Sequence, residues 1–168
     1  MHILSQEFVM GRDFKDISKI KNLDSEIYSF DMLGEAARNS EQADTYYQSY
    51  KNAIDEVGKI NQSKNTLNGV SIKISALFPN YEMRKFNDVK SILVPKLIEL
   101  TEYAIDKNVE ITIDAEEQDR LGVSLEIIKK MALSQKIQDW PGFGIALQAY
   151  GKRAPFVIDW LSDLLKNR

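Results

Sequence analysis

Apolar positions along the chain fall into two rhythms. Four short stretches, 27–33, 70–77, 109–114 and 143–150, are rich in β-branched or aromatic residues and bounded by turn signals, and they predict strands. Between them the apolar residues recur every third or fourth position. Residues 41–60 place Ala43, Tyr46, Tyr47, Tyr50, Ile54 and Val57 on one helical face, the tyrosines as core. Residues 88–106 do the same with Val89, Ile92, Leu93, Leu97, Leu100 and Ala104, with a kink or restart expected at Pro95. Ser124 reads as the N-cap of a third helix carrying Leu125, Ile128 and Ala132. After Pro155, the spacing of Val157, Trp160, Leu161, Leu164 and Leu165 predicts a fourth. Residues 13–20 read as a short amphipathic turn or helix, and 62–68 as a loose loop.

Strand–helix alternation of this kind indicates parallel βαβ units. Strand parity then separates two folds. One face carries Tyr28, Phe30, Met32, Ile72, Ile74, Ile111, Ile113, Phe143, Ile145 and Leu147. The other carries Ser29, Asp31, Ser71, Lys73, Ser75, Glu110, Thr112, Asp114, Gly144, Ala146 and Gln148. A doubly wound sheet is covered on both faces and reads apolar throughout, whereas a barrel strand can turn a polar face to the lumen. The pattern favours the barrel. A complete (β/α)8 barrel takes about 250 residues, and four units fill these 168. The expectation is a partial TIM barrel: residues 1–168 form its N-terminal half, as a fragment of a longer chain.

Composition narrows the chemistry. The chain is 43% apolar and 28% charged with a net charge of −3, an ordinary globular balance and a poor match to nucleic acid. No cysteine is present and the single histidine is His2, which removes disulfides, thiolate sites, Ser-His-Asp triads and histidine-rich metal centres. Without an apolar run long enough to span a membrane or a signal-peptide pattern at the start, a soluble cytoplasmic setting is expected. Parallel α/β folds place their sites at the carboxyl ends of the strands. There stand Asp31, Lys73 with Ser75, Asp114 with Glu116 and Glu117, and Gln148. A lysine on the lumen face is costly unless paired, so Lys73 reads as functional, against the alternatives of a lysine ending in solvent or a structural partner of an aspartate. Asp114 reads as functional, Glu117 and Asp119 as structural or solvated, and Gln148 as a ligand-facing or satisfied amide. Gly142-Phe-Gly144 lacks a third glycine and opens a strand, so it is no dinucleotide fingerprint. Asn61-Gln-Ser63 matches a glycosylation acceptor without other signs of secretion.

Four motifs, one per strand, resemble the proline dehydrogenase family, specifically the flavin domain of bifunctional proline utilization A proteins. They are Phe30-Asp-Met-Leu-Gly-Glu-Ala-Ala37, Ser71-Ile-Lys-Ile-Ser-Ala-Leu77 with Pro79 and Tyr81, Ile113-Asp-Ala-Glu-Glu117 with Asp119-Arg-Leu121, and Gln148-Ala-Tyr150 with Lys152-Arg-Ala154. The resemblance implies a distorted barrel with FAD at the strand ends and oxidation of L-proline by hydride transfer to the flavin. It implies Lys73 as a ligand of the proline carboxylate, Asp114 as a polar wall, and Glu35, with Asp31 beside it, as a gate residue. Gln148 then contacts the flavin ring. Phe78 and Asn80 stand where a histidine and an arginine are common, and Gly151 replaces a larger residue. Electrons would pass to a quinone through transient peripheral membrane contact, and an aldehyde dehydrogenase domain would follow downstream. Two other readings stay open: a class I aldolase-like barrel using Lys73 as a Schiff base, and an inactive half-barrel.

Overall fold

The computed structural model describes residues 26–79, 81–114 and 118–166. The turn or helix expected at 13–20 and the acidic pair Glu116 and Glu117 lie outside them. Strands β1 (Ser29–Asp31), β2 (Gly69–Ile72), β3 (Glu110–Ile113) and β4 (Phe143–Ile145) form one parallel sheet in the order β1-β2-β3-β4. The order never reverses, so the sheet lacks the switch point of a doubly wound fold. Helix α1 (Ser40–Lys64) joins β1 to β2. After β2 come a single turn, α2 (Ile74–Leu77), a short α3 (Phe86–Asp88) and the longer α4 (Val94–Asp106). Helix α5 (Leu121–Ala132) precedes β4, and α6 (Ala154–Lys166) follows it.

Strand parity sets where the core lies. Val70, Ile72, Ile111 and Ile113 turn to the helices and are at most 1% exposed, packed with Ile54, Val57, Leu97, Leu100, Ile127 and Met131. Ser71, Thr112 and Asp114 on the opposite face are only half-buried. Each large aliphatic side chain withdrawn from water in this layer contributes roughly 1.5–3 kcal/mol. Local chemistry sets the helix ends. The Asn39 side chain accepts from the Gln42 N–H at 2.8 Å to open α1, and Asn65 closes it in the left-handed region at φ 52°. Pro95 sits in the first turn of α4, directly after a π-helical turn over Val89–Leu93. That is the restart the proline predicts, since it has no N–H to give and needs none there.

Four local expectations are corrected. The stretch 143–150 is a strand only from Phe143 to Ile145, after which the chain leaves the sheet and turns at 149–150. The stretch 70–77 is not one strand: β2 stops at Ile72, and the Ala76 N–H bonds the Lys73 carbonyl to start α2. Ile74 and Ser75 are consequently both buried and leave the alternation. Ser124 is not an N-cap. The helix begins at Leu121, and the Ser124 hydroxyl donates back to the Arg120 carbonyl at 3.0 Å. The stretch 62–68 is not loose, because α1 runs to Lys64 and Asn68 is fully buried in a hydrogen-bond network with Asn61. Asn61 itself is 2% exposed, which closes it to glycosylation in the folded chain.

Candidate active site at the strand ends

Register brings the charged residues together. Asp31 lies opposite Ser71, and Ser71 opposite Thr112. Lys73 and Asp114 stand two residues further on, each just past the end of its strand. Lys73 is still extended and the Asp114 N–H still bonds the Ile72 carbonyl at 2.9 Å, so both share the inward face with Asp31. The Lys73 ammonium hydrogen-bonds Asp31 Oδ1 and lies 3.2 Å from Asp114 Oδ2. Side-chain exposure is 15% for Lys73, 52% for Asp31 and 28% for Asp114. A cation this enclosed needs its counter-charges, and it has one from each neighbouring strand. Burial pulls the lysine pKa down. The hydrogen bond and charge of Asp31, then those of Asp114, outweigh that, and the net shift is upward. Lys73 is thus held as a cation, able to offer its remaining N–H capacity to an anion at the open side of the sheet.

Glu35 does not join this cluster. It is exposed on the loop after β1, where its side chain makes no ion pair or hydrogen bond to a described residue. The loop backbone itself is well fixed. Gly34, at φ 137°, presses so close to the Tyr46 ring that a Cβ would stand 2.5 Å from Cε1. Ala36 is left-handed at φ 51°, and its N–H bonds the Ser75 hydroxyl at 3.1 Å, while the Ala37 N–H bonds the Ser75 carbonyl at 2.9 Å. Ser75 thereby ties the Glu35 loop to the turn that follows Lys73.

Gln148 lies just past β4. With Asp114, Gln118, Ser124 and Leu161 it lines a cavity of about 40 Å³. The Gln148 carbonyl accepts from the Gly151 N–H at 3.1 Å, but its carboxamide bonds no described residue. A half-buried amide with both donor and acceptor available beside Asp114 fits the polar edge of a planar cofactor ring.

One contributor, Tyr50, was not legible as a site residue, and for Ser75, placed at the strand ends by its position, the partners were not. Tyr50, read as core, is 1% exposed and indeed packed there, but its hydroxyl also accepts the Lys73 backbone N–H at 3.0 Å. The available signal was a tyrosine where phenylalanine would fill the same volume, since a buried phenol requires a partner. The bonds of Ser75 to Ala36 and Ala37 left no local trace.

Comparison with known proteins gives the family and the fold. Residues 14–168 match the family model described as proline dehydrogenase. The bifunctional protein PutA of Klebsiella aerogenes is 39% identical over 169 residues, covering 98% of this chain and 13% of that protein. PutA of Rhizobium meliloti is 35% identical over 171 residues, covering 99% and 14%. Among solved structures, a Bradyrhizobium japonicum proline utilization A variant superposes with a TM-score of 0.84 at 37% identity, over 99% of this chain and 17% of that one. Proline utilization A from Bdellovibrio bacteriovorus, inactivated by N-propargylglycine, reaches a TM-score of 0.87 at 19% identity over 95% and 18%, a likeness of fold. The chain therefore spans 13% of the length of the first of these relatives.

Proposed function

This chain belongs to the proline dehydrogenase family, and from that premise we propose that it supplies one wall of an FAD-dependent site oxidising L-proline to 1-pyrroline-5-carboxylate. Residues 1–168 are then the N-terminal half of a (β/α)8 barrel, a reading supported by four sequentially ordered parallel strands with a polar inner face. The observation that carries the function is the Lys73 ammonium set between Asp31 and Asp114 at the carboxyl end of the sheet. Lys73 receives the substrate carboxylate. Asp31 and Asp114 fix the direction of the ammonium and keep it charged. Glu35 stands at the rim as the gate residue, on a loop whose backbone Ser75 holds. Gln148 is placed to meet the flavin ring. When bound, FAD supplies the acceptor for hydride from the carbon beside the proline nitrogen, so the protein needs no nucleophile of its own.

The relatives' name, bifunctional PutA, and their greater length support a second activity on a longer chain, which the family resemblance assigns to a downstream aldehyde dehydrogenase domain. Electrons pass on to a quinone, through peripheral contact with the membrane. Among the described residues no helix is long and apolar enough to cross one. The Schiff-base reading requires a neutral amine, and the upward shift of the Lys73 pKa by two carboxylates opposes it.

The test uses the full-length protein that carries this chain. With proline and an electron-accepting dye it should hold stoichiometric FAD and reduce the dye only when proline is present. The 168-residue piece alone should do neither, for want of the opposite wall. A full-length protein without flavin or proline turnover overturns the function. Turnover by the isolated piece overturns the half-barrel. Borohydride trapping of Lys73 with a carbonyl substrate would establish the aldolase reading instead.

A further inference from the structure

At the end of β2 the chain makes an unusual exchange of partners. The Gly69 N–H bonds the Tyr28 carbonyl of β1 at 2.8 Å. Parallel ladder bonds recur every second residue, so the same register would hand the Lys73 N–H to Met32. It goes instead to the phenolic oxygen of Tyr50, at 3.0 Å, reached from the middle of α1. The Lys73 carbonyl accepts from the Ala76 N–H at 3.1 Å. Both backbone groups of Lys73 are thus tied, one to a side chain and one to the turn that follows. The residue itself stays extended, at φ −87° and ψ 116°, so its side chain keeps the inward direction of the strand while the next residue begins a helix.

We propose that Tyr50 is the positioning residue for Lys73: its buried hydroxyl replaces the lost ladder bond and so fixes where the ammonium meets the substrate carboxylate. The proposal rests on the proline-oxidising reading above. Packing alone does not call for the hydroxyl, because phenylalanine would fill the same core volume. Here it meets the backbone of the lysine that lies between Asp31 and Asp114. Tyr50 touches no substrate on this view. It acts through Lys73.

The experiment is Tyr50→Phe in the full-length protein, alone and in a Lys73→Met background. Loss of one net hydrogen bond corresponds to about a fivefold change. The proline KM should rise about fivefold with kcat within about twofold, and Tyr50→Phe should leave KM unmoved once Lys73 is gone. An unchanged KM in a folded Tyr50→Phe protein overturns the proposal. So does the same rise in both backgrounds, which is what a merely structural role produces. Should Tyr50→Phe fail to fold, fluorotyrosine at position 50 keeps the shape and weakens the acceptor, and the same comparison applies. If the parent does not oxidise proline, the functional reading falls separately, and calorimetric binding of cyclopentanecarboxylate decides Tyr50. A Lys73-dependent weakening supports it; equal weakening in both backgrounds, or no binding by the parent, overturns it.

Discussion

One carboxamide oxygen of Asn61 accepts both the backbone N–H and the side-chain amide of Asn68, at 2.9 and 2.8 Å. The Asn61 amide donates in turn to the Asn68 and Asn108 carbonyls at 3.0 and 2.7 Å, and Asn68 Oδ1 accepts the Tyr28 N–H at 2.8 Å. The pair joins the end of α1 to the entries of β1, β2 and β3. Asn61→Asp keeps the shape but removes two donors and places a charge at a buried position. The full-length protein should lose about 2–4 kcal/mol of stability. Denaturant unfolding that shows a loss under about 0.5 kcal/mol would contradict this.

Lys73→Ala in the full-length protein should weaken proline binding more than it slows turnover. Losing a charge-assisted hydrogen bond to a carboxylate costs on the order of 1.5–3 kcal/mol, or about 10- to 150-fold in KM. Steady-state kinetics on a variant shown to be folded decide it, and an unchanged KM removes Lys73 from the binding role.

The pH dependence has a definite sign. The Lys73 pKa lies above the ordinary lysine value of 10.5, because Asp31 and Asp114 outweigh the opposing effect of burial. Its charged form therefore contributes fully below that ordinary value, and the contribution is lost only as pH rises through the higher folded one. Proline KM should show no lysine-linked rise between about pH 7 and 9.5. Asp31→Asn should move the alkaline rise toward lower pH. A rise near pH 8.5 in the parent, absent from Lys73→Met, would show the ammonium to be less well held than the geometry indicates.

Asp31 and Asp114 back each other up. Asp31→Asn or Asp114→Asn alone leaves Lys73 one carboxylate, and each should cost about 1 kcal/mol or less, given how much solvent reaches Asp31. Together they strand a largely enclosed ammonium. The double change should exceed the sum of the singles by about 1 kcal/mol or more in unfolding free energy. Simple additivity would mean the two aspartates do not share the lysine.

Gln148→Leu should perturb the flavin before the substrate. A carboxamide with no bond to a described residue is replaced by an apolar group of similar size, leaving the ring's polar edge unmatched. The absorption spectrum and reduction potential of the full-length variant should both shift. If they match the parent while proline affinity collapses, Gln148 faces the substrate.

The legible and illegible parts of this structure divide by range. Asp31, Lys73 and Asp114 could be placed on one face because strand parity is local and their neighbours on that face are small or polar. Glu35 came only through family resemblance, for an exposed loop carboxylate carries no pattern of its own. The stretch 70–77 read as one strand because Ile72, Ile74 and Ala76 continue the alternation. The turn begins where Tyr50, 23 residues away, takes the Lys73 N–H. Ser75 and Ala36, 39 residues apart, are equally invisible to a window of ten. The supposed loose loop failed for the same reason: Asn61 and Asn68 look like turn residues until the sheet entry they close is in view.

Helix α1 carries Tyr46 against Gly34, Tyr50 beneath Lys73 and Asn61 at the strand entries, all on one element of 25 residues. From Tyr46 to Asn61 it rises about 22 Å at 1.5 Å per residue. In mechanical terms it is a strut braced at both ends. Its length and rotational phase set the height of the loop bearing Glu35, the aim of Lys73 and the seating of three strands at once. The mouth and the base cannot drift independently, and a single inserted residue between Tyr50 and Asn61 would turn one end about 100° out of step with the other.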